Sequence, residues 1–315
     1  MKTKFILAIL CCVAGTGLLP AQTPKETTAT AIPGVIAAGA KVQFLWQGFD
    51  GADGIISDAE GNLLFAERKA NRVSKIDKND KITAILADTN EAGALAIDSK
   101  GQIIDIERKD PQRVRILAPV RKVLADGFDG KKLEGMRDLT VARNGGVYFT
   151  DGRTSTKGSV ICYISPAGKV TMLLDDVDGA NGILFSPDEK TMYVSDSPNE
   201  YLLAYDVQPD GRMTNRRNFA RLEGGKRTGA DGLAIDGDGR LYAATPTGIQ
   251  VFDSKGKYLG TIPTPRPDTS IAFAGPGKKT LYIVGRGADG PGDQDQARSI
   301  YKVPMIAQGF KGRAK

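Results

Sequence analysis

One phrase recurs six times along the chain, and this repeat restricts the possible folds more than any other feature of the sequence. Each copy has a small residue, a second small or polar residue, a short apolar run, a turn rich in Asp or Gly, and a second β-rich run. The copies begin at Ala52, Ala92, Met136, Ala180, Ala230 and Thr269. Their starts lie about 40 to 50 residues apart, which is typical of propeller blades, whereas solenoid repeats are shorter or helical.

The two runs of each copy predict a β-hairpin. In the fifth copy, Leu233–Ile235 and 241–243 are apolar and flank the turn 236–239, which consists of Asp and Gly. A third strand follows in most copies, and a fourth is predicted at 82–86 and 170–174. Helical periodicity is nearly absent.

The fold class predicted from this pattern is all-β, a six-bladed β-propeller with about four antiparallel strands per blade over residues 41–306. A β-sandwich accounts for the short strands but not for the recurring phrase. The β-rich run 42–46 lies outside the six copies. We expect it to pair with the last blade and close the ring, so that no long sheet edge is left open.

The two ends of the chain are predicted to lie outside the propeller. Positive charge, an apolar run and small residues follow one another at the N terminus, so we predict a secretory signal peptide over 1–21 and a periplasmic or secreted protein. The alternative is a lipoprotein modified at Cys11 or Cys12, although neither cysteine follows the usual small residue. Residues 22–40 are predicted as a flexible linker and 307–315 as a basic C-terminal tail.

Composition excludes several functional classes. The net charge of +6 is dispersed and lacks aromatic interleaving, so we predict no nucleic-acid partner, and no apolar stretch is long enough to predict a membrane span. The chain has no histidine, which excludes Ser-His-Asp and Cys-His catalysis and histidine-ligated zinc. Cleavage near residue 21 leaves Cys162 as a single cysteine, predicted to be a buried small hydrophobe. We expect a monomer.

Polar residues at the start of each copy are the candidate site. The first strand of a propeller blade lines the central channel, so residues at equivalent positions of different blades gather at one mouth. Asp53, Asn181 and Asp231 are oxygen donors at such positions, and they suit Ca²⁺ or another hard divalent cation. Asp-Gly and Asn-Gly are also common turn dipeptides, but here each one precedes an apolar strand.

The chain resembles the gluconolactonase, regucalcin and luciferin-regenerating-enzyme family of six-bladed, calcium-dependent hydrolases. The segments that carry the resemblance are ANGILFSPDEKTMYVSD from Ala180, GGVYFTD from Gly145 and ADGLAIDGDGRLYAAT from Ala230. The resemblance implies that Asn181 and Asp231 are metal ligands. It also places Asp53 where the family usually has Glu.

The third blade departs from the family, because Arg137-Asp138 stands where the family usually has Asn-Asp. Arg137 brings a permanent positive charge to the mouth. It can donate to an oxyanion or to a bound carboxylate or phosphate. Alternatively, it can pair with Asp53 or Asp231 and occupy the place of the cation.

Two functions follow from these residues. The first is a metal-dependent hydrolase that opens a lactone or sugar derivative, in which the metal polarises the carbonyl and a carboxylate activates water. Asp231 is the candidate base, and Arg137 and Asp138 complete the candidate catalytic set. The second is a non-catalytic propeller that binds a small ligand or a protein at its mouth, with Arg137 in place of the cation.

Overall fold

The computed structural model describes residues 26–48, 50–152, 158–225, 228–288 and 297–313. These ranges contain 27 β-strands and one short 3₁₀ turn at Pro276–Lys278. The all-β propeller with six blades is confirmed. In the same ranges, no helix has the length and apolar character needed to cross a bilayer. The predicted signal peptide lies outside the described residues.

Each of the first five blades is an antiparallel sheet of four strands that follow one another in chain order. Blades one to three comprise β3 Ala52–Ser57, β4 Leu63–Glu67, β5 Arg72–Ile76 and β6 Ile82–Ala87, then β7 Ala92–Ile97, β8 Ile103–Glu107, β9 Arg113–Ala118 and β10 Lys122–Ala125, then β13 Met136–Val141, β14 Val147–Asp151, β15 Ser159–Ile164 and β16 Val170–Val177. A small hairpin, β11 Gly127–Phe128 and β12 Lys131–Lys132, connects the second blade to the third.

The remaining blades repeat this arrangement. They comprise β17 Ala180–Phe185, β18 Thr191–Asp196, β19 Tyr201–Val207 and β20 Met213–Arg221, then β21 Leu233–Ile235, β22 Leu241–Thr245, β23 Gly248–Phe252 and β24 Tyr258–Ile262, then β25 Asp268–Ala274, β26 Thr280–Arg286 and β27 Arg298–Pro304. The fourth strands expected at 82–86 and 170–174 are present as β6 and β16. The sixth blade takes its fourth strand from the other end of the chain.

That strand is β2, Lys41–Gln47, which pairs antiparallel with β27 as predicted from the sequence. The Phe44 and Tyr301 rings meet edge to face across this pairing, 5.8 Å apart. A two-residue strand, β1 Thr27–Thr28, extends the same sheet by pairing with β2. The two ends of the propeller therefore share one sheet, and the ring is closed.

Apolar side chains between neighbouring blades form the core. Six clusters of buried residues occupy the six junctions around the ring, including the junction between the sixth blade and the first. The first strands β3, β7, β13, β17, β21 and β25 contact one another in that order, and β25 contacts β3 again. The first strands therefore surround a common axis. Cys162 is fully buried, as predicted, and burial raises the pKa of its thiol to about 12.

Residues 26–40 pack against the propeller and do not form the flexible linker expected from their composition. Ile32, Val35 and Ile36 are buried in the cluster between the fifth and sixth blades. The Val35 carbonyl accepts hydrogen bonds from the backbone N–H groups of Ile306 and Ala307. Residues 22–25 lie outside the described residues.

The C-terminal segment is also packed, at the end of the channel where the first strands finish. The Phe310 N–H donates to the Ile235 carbonyl, and Lys278 donates to the carbonyls of Phe310 and Arg313. The Arg313 guanidinium is almost fully buried and donates to the carbonyls of Phe185 and Ser186 and to Glu189. It lies 5.0 Å from the centre of the Phe185 ring. This segment, predicted as a basic tail, therefore covers the far end of the channel.

We expect Arg313→Ala to lower the free energy of unfolding by about 2 kcal/mol, because it leaves two buried carbonyls and a carboxylate without their donor. Chemical denaturation measures this change. The matched control is Arg212→Ala, whose side chain is 71% exposed and should cost less than about 0.5 kcal/mol. Equal effects of the two substitutions would contradict the packed position of Arg313.

A buried ion cluster lies in the second blade. The Arg115 guanidinium contacts Glu107 at 2.6 Å and Asp105 at 3.1 Å, and it donates to the Thr89 carbonyl. One cation therefore serves two buried carboxylates. Burial raises the pKa of Asp105 to about 7, and the charge of Glu107 adds to this effect, whereas Arg115 and Arg121 oppose it.

The raised pKa of Asp105 predicts a pH dependence of stability. Between pH values of about 4 and 7 the folded protein holds a proton on Asp105 that the unfolded chain releases, so stability falls as the pH rises through this range. Asp105→Asn mimics the protonated group. The free energy of unfolding of this variant, relative to that of the wild type, should therefore rise by on the order of 2 kcal/mol from pH 5 to pH 8 in denaturation experiments. If the difference in the free energy of unfolding between the wild type and Asp105→Asn is the same at both pH values, Asp105 is not protonated in the folded protein. The exposed Asp238→Asn is the control.

Candidate active site

The candidate residues lie where the first strands begin, at the mouth opposite the C-terminal segment. Five of the six first strands have an irregular register within their first few residues, for example between Asp53 and Ile56 and between Ala180 and Ile183. Such bulges redirect side chains and are common beside functional sites. Here the irregular stretches contain Asn181 and the Arg137-Asp138 pair, and one of them begins directly after Asp53.

The glycines that follow the candidate ligands allow neighbouring first strands to approach closely. A Cβ atom on Gly54 would lie 2.6 Å from the Ala94 Cα, and one on Gly182 would lie 2.4 Å from the Asp231 carbonyl oxygen. Both contacts are with backbone, which cannot move aside easily. The glycines of these Asp-Gly and Asn-Gly pairs are therefore required by close packing around the channel, not by hairpin turns.

A cavity of about 20 Å³ lies between these strands. Its lining includes all five residues that the sequence proposes for the site: Asp53, Arg137, Asp138, Asn181 and Asp231. Thr269 and Ser270 of the sixth blade also line it. This volume is enough for one water molecule or one ion of similar size.

The Asn181 side chain is held in one orientation. Its Nδ2 donates to Ser197 Oγ at 3.0 Å, and Ser197 Oγ donates in turn to the Ala230 carbonyl. With the amide nitrogen engaged by Ser197, the amide oxygen is left to face the cavity that Asn181 lines. An oriented amide oxygen is a suitable ligand for a hard cation.

Asp231 is the half-buried carboxylate at the fifth blade. Its backbone is fixed, because its N–H donates to the Ala244 carbonyl and its own carbonyl accepts from Ser195 Oγ at 2.8 Å. No hydrogen bond from another described residue reaches its carboxylate. Burial and then the charge of Asp53 raise the pKa of Asp231 to about 7, with a further contribution from Asp138, while Arg108 and Arg137 act in the opposite direction.

Asp138 is more deeply buried and is already engaged by the backbone. Its carboxylate accepts the N–H of Leu139 at 2.9 Å and the N–H of Ile183, in the next blade, at 3.2 Å. The carboxylate therefore joins the third blade to the fourth. These contacts give Asp138 a positioning role beside the cavity, in addition to its place in the candidate catalytic set.

Asp53 is the most exposed of the three aspartates, and an arginine lies next to it. Its Oδ1 accepts the Gly54 N–H at 2.9 Å, and its Oδ2 is 3.5 Å from Arg108 Nη2. The same Arg108 nitrogen donates to the Arg137 carbonyl at 2.8 Å. Arg108 thus connects the first three blades at the mouth.

Arg137 does not take the place of a cation in this arrangement. Its side chain is exposed, and it makes no hydrogen bond or ion pair with another described residue. The sequence suggests an ion pair between Arg137 and Asp53, but in the structure Arg108 makes this ion pair. The Arg137 guanidinium remains available at the mouth.

Sequence reasoning missed Arg108, because Gly93 at the equivalent position of the second blade offers no donor. The structure explains this glycine, since a Cβ on residue 93 would lie 2.1 Å from Arg108 Nε. The Arg108 side chain occupies the space that Gly93 leaves. A signal was present in the sequence: Glu-Arg-Lys begins at the last residue of the second strand in both of the first two blades, at 67–69 and 107–109.

Two hydroxyl groups on second strands were also missed. Thr150 Oγ1 accepts the Asp138 N–H and donates to the Asn181 carbonyl, and Ser195 Oγ accepts the Gly182 N–H and donates to the Asp231 carbonyl. Each hydroxyl therefore connects its own first strand to that of the next blade. Their signal in the sequence is the hydroxyl residue before Asp in the recurring segments FTD and VSD.

The donor set fits a hard cation with few charged ligands. Three carboxylates and one amide oxygen border the cavity, with two hydroxyl residues beside them, and one of the carboxylates, Asp138, is already engaged by backbone N–H groups. Within the ranges that the structure describes, no three acidic or thiol side chains form a metal cluster by themselves. Mixed carboxylate and amide ligation, completed by water, is typical of Ca²⁺.

Comparison with known proteins agrees with this geometry. Residues 51–286 match the family described as SMP-30/Gluconolactonase/LRE-like region. A gluconolactonase from Zymomonas mobilis is 28% identical over 269 residues, which cover 74% of this chain and 75% of that protein. The solved structure of a gluconolactonase from Xanthomonas campestris superimposes with a TM-score of 0.74 at 25% identity and covers 91% of this chain and 97% of that one.

A calcium-binding regucalcin from Agrobacterium tumefaciens has the same fold, with a TM-score of 0.63 at 21% identity. The match covers 83% of this chain and 95% of the regucalcin. Since the family match extends over most of the propeller, the chain belongs to the SMP-30/gluconolactonase/LRE-like family.

Proposed function

We propose that this protein is a metal-dependent lactone hydrolase, with Ca²⁺ as the preferred ion and a lactone or sugar derivative as substrate. The observation that carries the proposal is the cavity, which brings Asp53, Asn181 and Asp231 together from three separate blades. The relatives named gluconolactonase support the reaction, and the calcium-binding regucalcin supports the ion.

Asp53, Asn181 and Asp231 are the residues that would hold the ion. When bound, a divalent cation supplies Lewis-acid polarisation of the lactone carbonyl. Ser197 holds the Asn181 amide in the orientation described above, and Ser195 holds the Asp231 backbone. Asp138 maintains the junction between the third and fourth blades.

The chemical step needs a base and a stabiliser for the leaving oxygen. Asp231 is the base, because its carboxylate lines the cavity, accepts no hydrogen bond from the described residues and has no histidine to compete with it. It takes a proton from the attacking water as the new carbon–oxygen bond forms. The ring carbon–oxygen bond then breaks, and the proton passes to the leaving alkoxide, which yields the hydroxy acid. The free Arg137 guanidinium donates to the developing oxyanion.

A non-catalytic binding propeller is the second candidate. The contact between Arg108 and Asp53 favours it, because a guanidinium then neutralises one of the candidate ligands. Arg108 takes the role that the sequence suggested for Arg137. The 3.5 Å separation is long for a hydrogen bond, however, and leaves Asp53 accessible to a competing cation.

Export to the periplasm or the medium is part of the proposal and rests on the N-terminal signal-like sequence. The working form proposed is a monomer with a small-molecule substrate. Immunoblotting of cell fractions, together with size-exclusion chromatography, tests both points.

Asp231→Asn should reduce kcat/KM for lactone opening by about 100-fold or more, because the amide retains the shape of the carboxylate but cannot accept a proton. The change is measured from the rate of D-gluconolactone hydrolysis, which is monitored through the protons that the reaction releases. Asp238→Asn in the same blade is the matched control, since its side chain is 74% exposed. Activity that survives both Asp231→Asn and a chelator would refute the mechanism.

Calcium should stabilise the chelator-treated protein by about 2.7 kcal/mol at 100 times its dissociation constant. Thermal unfolding with and without millimolar calcium measures the shift. Asn181→Ala should remove most of this stabilisation, because the oriented amide oxygen is lost, whereas the exposed Asn79→Ala should retain it. An unchanged melting temperature of the wild type would favour the metal-free binding propeller.

A further inference from the structure

The mouth of the candidate site is rich in arginine. Arg137 lines the cavity, Arg108 contacts Asp53 at its edge, and Arg68 and Arg298 are near enough to respond to the charge of Asp53. Glu91 lies 3.9 Å from both Arg68 and Lys69 and balances part of that positive charge. The remaining guanidinium groups face the aspartates that were proposed for the metal and the base.

A bound divalent cation changes this balance. Without it, Asp53, Asp138 and Asp231 offset part of the positive charge of the arginines at the mouth. With it, the mouth has positive charge in excess, in a partly buried space where charges are weakly screened. A neutral substrate would leave this excess of positive charge uncompensated, whereas an anionic substrate would neutralise it.

The Arg108 guanidinium is positioned to serve such a substrate. Only about 18% of its side chain is exposed, and its Nη2 is the one nitrogen with hydrogen-bond partners among the described residues. Its Nε is buried and has no partner there. Its Nη1 is not among the buried atoms and also has no partner there, so Nη1 is the donor left for an acceptor at the mouth.

The surrounding backbone fixes where this guanidinium lies. The Gln112 side chain donates to the Arg108 carbonyl and accepts the N–H groups of Gly135 and Met136, which lead into β13. Gly93 leaves the space in which the side chain runs. Arg108 is thus held against the start of β13, where its Nη2 donates to the Arg137 carbonyl.

We propose that the lactone opened at this mouth carries a negatively charged group, a carboxylate or a phosphate, and that Arg108 binds this group with Arg137 beside it. The inference rests on the proposed lactone-hydrolase function and adds the class of its substrate. Arg108 is the residue that determines specificity, because its permanent positive charge lies beside the cavity and its Nη1 has no partner among the described residues.

Two matched pairs of lactones test the inference and separate the two anionic groups. The first pair is D-gluconolactone and D-glucarolactone, which has a carboxylate in place of the terminal hydroxymethyl group. The second pair is D-ribonolactone and its terminal phosphate ester. The calcium-loaded wild type should show kcat/KM at least about tenfold higher for the charged member of one pair, and the pair concerned identifies the group.

Arg108→Gln should reduce that preference by about tenfold or more, and Arg108→Lys should restore part of it. Gly93→Ala should act like Arg108→Gln, because the added Cβ displaces the guanidinium while its charge remains in the protein. The exposed Arg212→Gln should leave the preference unchanged. Calcium-induced thermal stabilisation retained in Arg108→Gln would show that the fold and the ion site are intact.

A wild type that prefers the neutral lactones, or a uniform loss of activity on all four lactones in Arg108→Gln, would overturn the inference and leave the hydrolase function standing. If no lactone is opened, the hydrolase function fails. Thermal stabilisation by the same lactones then decides the inference: stabilisation by a charged lactone that is lost in Arg108→Gln supports it, and equal stabilisation by charged and neutral lactones refutes it.

Discussion

The closure of the ring is the constraint on which the rest of this structure depends. Each blade has two apolar faces, and six buried clusters cover those faces only because the sixth blade meets the first. The pairing of β2 with β27 makes this last junction part of one sheet. Opening it would expose the edge of β27 and the cluster between the first and sixth blades.

The same closure creates the site. Asp53, Asn181 and Asp231 are separated by more than a hundred residues of chain in total, yet each lies at the start of a first strand. A closed ring brings these starts to one mouth. The hydroxyl groups of Thr150 and Ser195 then connect adjacent first strands by hydrogen bonds, which makes the distances between the candidate ligands depend on the packing of the blades.

The sequence predicted the blades, the closing strand and the residues that share the cavity, because all of these follow from one repeated register. It did not predict the packing of 26–40 or of the C-terminal segment. Their composition is that of a linker and a tail, and their order comes from contacts with distant blades, such as those of Val35 and Arg313. Contacts of this kind leave no local periodicity.

The sequence did not predict the role of Arg108 for a different reason. The recurring phrase identifies the first strand of each blade as the source of site residues. In the second blade, however, that strand contributes Gly93, which leaves space for another side chain, and no functional group. The side chain that fills the space comes from the end of the next strand. Site residues therefore come from two positions of a blade, the start of the first strand and the end of the second. The repeated Glu-Arg-Lys segments mark the second of these positions.

The C-terminal segment restricts movement through the end of the channel that lies away from the candidate site. Arg313 and the residues before it cover the end of the axis away from the cavity, and Ile56, Leu95 and Leu139 lie beside Arg313 in the passage. The cavity among these side chains measures only about 10 Å³. A molecule larger than water would have to displace Arg313 to pass through this end of the axis.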